Sequence, residues 1–280
     1  MKKILIPTDF SEEAVYALDF ALDLAKKTGV ELYLLHVAEY PTSTFSATGE
    51  AATNPMDNAY VGQLIERLKK RIKEIINEPR FDQIRISGNV EFGSPYSSIS
   101  SNIVEQEVDL VIMGSKGVSG LEEILIGSNT EKVVRNAKCP VITIKSPVSA
   151  SSIKEIAFAT SLREEEMQVV NKLKEIQDIF DAHLQVVMIN TPNNFMIDRD
   201  IRRNMKRFAD HHKLKNYSLN IYNDVVEEDG IIYFAEEINA DMIAMGTHGR
   251  TGLMHLLGGS IAEDVVNHSK RPVWTFNMHA

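Results

Sequence analysis

One glycine spacing, written twice, constrains this chain more than any other feature. Gly114-Ser115-Lys116-Gly117 is followed after nine residues by Gly127-Ser128, and Gly246-Thr247-His248-Gly249 after nine residues by Gly259-Ser260. Each copy comes directly after a short apolar run opened by an aspartate, Asp109-Leu110-Val111-Ile112-Met113 and Asp241-Met242-Ile243-Ala244-Met245. Runs of that length and composition read as strands buried on both faces. Each glycine cluster therefore falls at the carboxyl end of a strand, where open α/β sheets bind ligands.

The register that pairs Asp109 with Asp241 also pairs Gly120 with Gly252, Leu125 with Leu257, Glu131 with Glu263, Val133-Val134 with Val265-Val266 and Pro140-Val141 with Pro272-Val273. Self-similarity over that span marks a duplicated unit. Nearer the start of each half the register shifts. Ile6-Pro7-Thr8-Asp9-Phe10 then lies against Phe158-Ala159-Thr160-Ser161-Leu162, and His36-Val37 against Met188-Ile189. The first half thus carries an insertion, placed at Tyr40 to about Tyr60, whose Ser, Thr, Ala, Asn and Pro content predicts a long loop serving as a lid or as plain surface. The small-residue stretch Ser146 to Ser152 separates the halves, giving domains at 1–147 and 153–280.

Within the first half, strands are expected at 2–8, 31–37, 84–91, 109–113 and 140–145. A helix from Glu12 to Lys27 is apolar at Ala14, Leu18, Ala21, Leu22, Leu24 and Ala25, close to a 3.6-residue period. Strands alternating with such helices imply right-handed crossovers and a parallel sheet covered on both faces. The fold class is α/β, two tandem doubly wound domains, each with a five-stranded parallel sheet flanked by helices.

A net charge of -9 argues against nucleic acid or an anionic membrane as partner, since both need dense positive charge. No apolar run approaches the roughly 18 residues of a membrane span. The basic-then-apolar start, Met1 to Pro7, meets Asp9 too soon for a signal peptide, so a cytoplasmic location is expected. The single cysteine, Cys139, rules out an internal disulfide or a cysteine zinc cage and reads as an ordinary small residue. Histidines concentrate in the second half without the His-Glu-x-x-His spacing of a metal site, and His211-His212 is expected in solvent.

Glycines at 114 and 117 leave main-chain amides open to close approach by a phosphate. Ser128-Asn129-Thr130-Glu131 and Ser260-Ile261-Ala262-Glu263 both have the form of capping boxes, which predicts a helix N-terminus, a ready anion site, directly after Gly127 and Gly259. Lys116, His248 and Arg250 would add positive charge nearby. The spacing matches neither the Walker A loop nor the dinucleotide fingerprint. Asp9 has a second reading, since it or Ser11 would cap the helix that follows.

On these motifs the chain resembles a tandem universal stress protein, whose ATP-binding signature is Gly, two residues, Gly, nine residues, Gly-Ser/Thr after the fourth strand. The opening Ile4-Leu5-Ile6-Pro7-Thr8-Asp9-Phe10-Ser11 is similar to that family's first strand and turn. The resemblance implies ATP as ligand, with Pro7, Thr8, Asp9 and Val37 on the nucleoside and Gly114, Gly117, Gly127 and Ser128 on the phosphates; Mg2+ bridging the phosphates is expected with it, because protein sites for that ion often use mainly phosphate and water ligands. In the second half it implies phosphate binding by Gly246, Gly249, Gly259 and Ser260, while Ser161 stands for the aspartate and Ala159 for the proline. It further implies an adenine-nucleotide alpha-hydrolase-like fold whose halves pack as a pseudo-dimer through Val141 to Lys145 and Val273 to Asn277. Trp274 then falls at that interface or in the core. Beyond the nucleotide, the partners implied are a second copy in a homodimer and a regulatory protein. The role implied is nucleotide-dependent stress regulation, with a slow ATPase, an autophosphorylating enzyme and an interaction module with vestigial sites as the alternatives.

Overall fold

The computed structural model describes residues 1–39, 55–115, 127–163, 166–247 and 261–278, with backbone only for 55–61. The first half runs β1 (Lys3–Pro7), α1 (Glu12–Thr28), β2 (Glu31–Ala38), α2 (Pro55–Ile76), β3 (Ile86–Phe92), α3 (Pro95–Glu105), β4 (Leu110–Gly114), α4 (Ser128–Asn136) and β5 (Val141–Ile144). The second repeats it as β6 (Glu155–Ala159), α5 (Met167–Phe180), β7 (His183–Asn190), α6 (Asp198–His212), β8 (Tyr217–Asn223), α7 (Glu227–Glu237), β9 (Met242–Thr247), α8 (Ile261–His268) and β10 (Val273–Asn277). All five first-half strands fall where expected, within two residues. The insertion differs: 40–54 lies outside the described residues, and from Pro55 onward the chain is helix α2 rather than loop.

The signals at the ends of α1 are local. Ser11 caps it, its hydroxyl accepting from the Ala14 amide at 3.3 Å. Glu12 and Glu13 sit in its first turn and Lys26 and Lys27 in its last, each complementing the helix dipole. Gly29 ends it in the left-handed region at φ 69°, its amide bonded to Ala25. The aspartates that open the repeated strands tie the lower edge of the sheet. Asp109 accepts from the Lys2 and Lys3 amides, and Asp241 from those of Lys154 and Glu155.

The strands order as β3-β2-β1-β4-β5-β10-β9-β6-β7-β8 in one ten-stranded sheet. Every pairing is parallel except β5 with β10, where the halves meet antiparallel through Val273 and Thr143, Trp274 and Ile142, Thr275 and Val141. The pairing therefore has a pseudo-twofold axis through Ile142 and Trp274, positions equivalent in the repeat. Successive side chains alternate between two cores, as strands buried on both faces require. Ile4, Ile6, Leu110 and Ile112 face α1, α2, α5 and α6, while Leu5, Val111 and Met113 face α3, α4, α7 and α8. Trp274 is at once interfacial and fully buried, and its indole N–H has no partner among the described residues.

Cross-half polar contacts follow the same axis. Lys145 Nζ donates to the Asn267 carbonyl at 2.5 Å, and Asn277 Nδ2 to the Arg135 carbonyl at 3.1 Å, the equivalent bond of the other half. A further contact joins the halves: Arg135 grips the buried Glu263 carboxylate with two bonds, at 2.5 and 2.7 Å. The stretch between the halves is packed rather than loose. Ser149 donates to Asp23 of α1 at 2.5 Å, and Ala150 and Ile153 enter the core. His212 corrects the expectation of solvent exposure, being only 5% exposed with its ring 4.4 Å from that of Phe208. Burial, then the neighbouring His211 and Lys174, hold its pKa below the ordinary histidine value.

Candidate functional site

In the first half the chain moves outward from β1 through β2 to β3, then returns to the other side of β1 for β4 and β5. The order reverses between β1 and β4, which pair directly through Ile4 with Leu110 and Leu5 with Val111. From this switch point α1 leaves toward one face of the sheet and α4 toward the other, the arrangement at whose carboxyl edge open α/β sheets hold ligands. Pro7, Thr8 and Asp9 end β1 there, Val37 lies in the last turn of the pleat of β2, and Gly114 ends β4. Of the residues expected on the nucleotide, Gly117 lies outside the described residues, and the others come to this one edge.

The turn after β1 is built by short side chains. Thr8 Oγ1 accepts from the Phe10 amide at 3.0 Å, and Asp9 Oδ1 from the Ser11 amide at 2.9 Å. Phe10 adopts φ 65°, unusual for a bulky residue. Asp9 braces the turn and is exposed at this edge. Ser11, not Asp9, caps α1.

The glycine at 114 has a cause that the phosphate argument missed. A Cβ there would stand 2.5 to 2.7 Å from the backbone of Glu13 and Ala14, so it is the first turn of α1 that requires a residue without a side chain. Gly127 is open, with nothing within 4 Å of an added Cβ. α4 begins as expected just after Gly127, but the first expected capping box does not form. Gly127 is itself the cap, its carbonyl accepting from Thr130 and Glu131 at 2.8 and 3.3 Å, and no side chain caps the helix. Ser128 is exposed at the first helical position, and Glu131 turns toward Arg135 at 3.7 Å. Ser260, Gly249 and Gly259 lie outside the described residues, as do Lys116, His248 and Arg250.

Two features escaped the sequence reading. The Phe10 ring has two neighbours, the His36 ring 4.5 Å away on centroids and the Arg71 guanidinium 4.0 Å from its centre. His36 Nδ1 lies 2.8 Å from the Thr8 carbonyl, which fixes that nitrogen as the donor. No spacing announces Arg71, because only the packing of α2 brings it here. The second is a hydroxyl at the carboxyl end of each repeated strand: Ser115 Oγ and Thr247 Oγ1 are buried and without partners among the described residues. Here a signal existed, since Ser115 and Thr247 are equivalent in the repeat.

The second half reproduces the turn and changes what sits in it. Thr160 Oγ1 accepts from the Leu162 amide at 2.9 Å, and Leu162 has φ 60°. Ser161 takes the place of Asp9, and the Glu166 carboxylate folds back to it. Thr160 Oγ1 donates to one oxygen, while the Ser161 amide and hydroxyl donate to the other at 3.0 and 2.5 Å. α5 correspondingly starts only at Met167, later in the repeat than α1. A Cβ at Gly246 would meet Met278 Cε at 2.8 Å and Val169 Cγ2 at 3.1 Å, side chains rather than backbone.

The family model described as Universal stress protein family matches this chain twice, over residues 1–145 and 152–277. Universal stress protein MJ0577 of Methanocaldococcus jannaschii is 33% identical over 153 residues, which is 51% of this chain and 94% of that protein. Universal stress protein YxiE of Bacillus subtilis is 30% identical over 148 residues, 51% of this chain and 98% of that one. Among solved structures, a universal stress protein from Archaeoglobus fulgidus superposes with a TM-score of 0.77 at 22% identity, covering 99% of this chain and 98% of its own. That likeness extends the fold across both halves.

Proposed function

Because the chain belongs to the universal stress protein family, in both of its halves, we propose that its first half, domain 1–147, binds ATP, and that occupancy of this site governs a stress-response partner. One observation carries the reading: Pro7, Thr8, Asp9, Val37, Gly114, Gly127 and Ser128 converge on the carboxyl edge at the β1–β4 switch point. The nucleoside lies against Thr8, Asp9 and the end of β2. The phosphates lie toward the α4 N-terminus, whose exposed Gly127 and Ser128 leave amides and a hydroxyl for an anion.

The available groups suit a polyanion. The buried Ser115 hydroxyl beside Gly114 has a proton to donate, and the helix end offers backbone dipoles without needing a cationic side chain. Among the described residues no three His, Cys, Asp or Glu side chains group as a metal site would. Mg2+ would therefore arrive with the nucleotide, held by phosphate and water. In the second half, domain 153–280, Ser161 replaces Asp9 and binding is weaker or absent.

The test is the nucleotide content of freshly purified protein, released by denaturation and counted per chain, followed by Mg-ATP calorimetry on wild type and Asp9→Ala. About one ATP per chain, with affinity lowered at least about tenfold by Asp9→Ala, is expected, since a lost hydrogen bond to a ligand costs on the order of 1.4 kcal/mol or more. A preparation free of nucleotide that also gives no heat with Mg-ATP overturns the reading.

A further inference from the structure

We infer that Glu166 is an internal ligand of the second half, its carboxylate occupying the place from which a nucleotide would be held and so confining nucleotide binding to the first half. The inference deepens the proposed function and rests on reading the two halves as equivalent nucleotide sites.

The argument starts from the burial of the carboxylate. Glu166 is 3% exposed, and no cation pairs with it among the described residues. A buried carboxylate is tolerable only when hydrogen bonds replace its water. Those bonds come from the Thr160 hydroxyl and from the amide and hydroxyl of Ser161, all at the end of β6. The equivalent places at the end of β1 are Thr8 and Asp9, two residues offered to the nucleoside. The turn of the second half thus spends its hydroxyl and amide donors on an internal carboxylate.

Three changes make this possible, each readable against the repeat. Ser161 in place of aspartate removes a like charge and adds a hydroxyl donor. The position of Glu166 is held in the first half by Ala14, which is buried in the first turn of α1 and has no oxygen to offer. The late start of α5 frees the chain around Glu166 to fold back. Nearby, the space over Gly246 is filled by Met278 and Val169 side chains. An incoming nucleotide would find the donors of this turn already used, and displacing Glu166 would strip a buried carboxylate of the hydrogen bonds that replace its water.

The experiment is Mg-ATP calorimetry on the full chain, comparing wild type with Glu166→Ala, Glu166→Gln and Glu166→Ala/Met278→Ala, each checked for cooperative unfolding. Wild type is expected to bind one equivalent. Replacement of Glu166 should add a second, with second-half affinity raised about tenfold or more, since the nucleotide no longer displaces charge-assisted hydrogen bonds, and tenfold corresponds to about 1.4 kcal/mol. Glu166→Gln keeps the size and one acceptor, and so decides the matter should the alanine variants not fold. If no variant lacking Glu166 binds more nucleotide than its parent, or wild type already fills both halves, the inference is overturned. Should wild type bind nothing while Glu166→Gln binds, the first-half reading fails and the role of Glu166 stands.

Discussion

Replacing Gly114 by alanine should destabilise the protein even when no nucleotide is present. An added Cβ would lie 2.5 Å from the Glu13 carbonyl carbon, 2.6 Å from its oxygen and 2.7 Å from the Ala14 nitrogen. Ordinary contacts with a methyl group begin near 3.4 Å, so the first turn of α1 must retreat by nearly an ångström. Overpacking of this kind costs about 1–3 kcal/mol, and the upper end applies because the opposing atoms are backbone that cannot rotate away. Alanine recovers about 0.5–1 kcal/mol by restricting the unfolded chain. The net loss is about 2 kcal/mol, or roughly 4–8 °C in melting temperature for a chain of this size. Gly246→Ala meets the flexible tip of Met278 and should cost about 1 kcal/mol, while Gly127→Ala, with open space around it, should lose less than that. The assay is urea unfolding of nucleotide-stripped protein, followed by the fluorescence of Trp274, the single tryptophan and fully buried. If Gly114→Ala were as stable as Gly127→Ala while losing ATP, the glycine would serve the ligand and the steric argument would be wrong.

Arg135→Ala should strip the bidentate partner from Glu263, whose side chain is 6% exposed, and cost about 2 kcal/mol, less than the roughly 3–5 kcal/mol for breaking a fully buried pair because Arg135 is partly in solvent. A double-mutant cycle with Glu263→Gln should return a coupling of about 1 kcal/mol, and strict additivity would show that the pair contributes nothing. Burial pulls the Lys145 ammonium down to about 8. Its folded pKa lies below the unfolded value, so the unfolded chain holds more protons between pH 8 and about 10.4, and stability from this group rises with pH across that window. Subtracting the unfolding curve of Lys145→Met from that of wild type should reveal a gain of about 2 kcal/mol over the window, and a flat difference would refute it. The subtraction matters because burial pushes the Cys139 thiol up to about 12, which lowers stability over an overlapping range.

Much of the architecture was legible because periodicity and repetition are local records of burial. Consecutive apolar residues at Ile4-Leu5-Ile6 and Leu110 to Met113 mark strands covered on both faces, and the structure buries every one of them. The start of α1 was partly legible, since Ser11 was one of its two candidate caps. The meeting of β5 with β10 followed from the family resemblance and not from any residue pattern. What stayed hidden depends on where distant segments arrive. Gly114 looks the same whether a phosphate or the turn of a helix presses on it, and only the position of α1 decides. Glu166 gave no signal, because its meaning comes from folding back five residues to Ser161. Ser128 misled, since the pattern Ser-x-x-Glu fits a helix that Gly127 in fact begins.

The pairing of Ile142 with Trp274 shows what joining two copies in one chain makes possible. In a dimer of identical single-domain subunits, a residue on the twofold axis must face itself, and any substitution there occurs twice. Such a dimer of the first half would set isoleucine against isoleucine, and one of the second half indole against indole, so a change of volume would be doubled at a single point of the sheet. Covalent linkage lifts that rule. One side of the axis carries the large indole and the other the smaller isoleucine, so the two halves meet there through unlike residues. Their order in the sheet is thereby fixed, and each half is free to lose or keep a ligand without the other following.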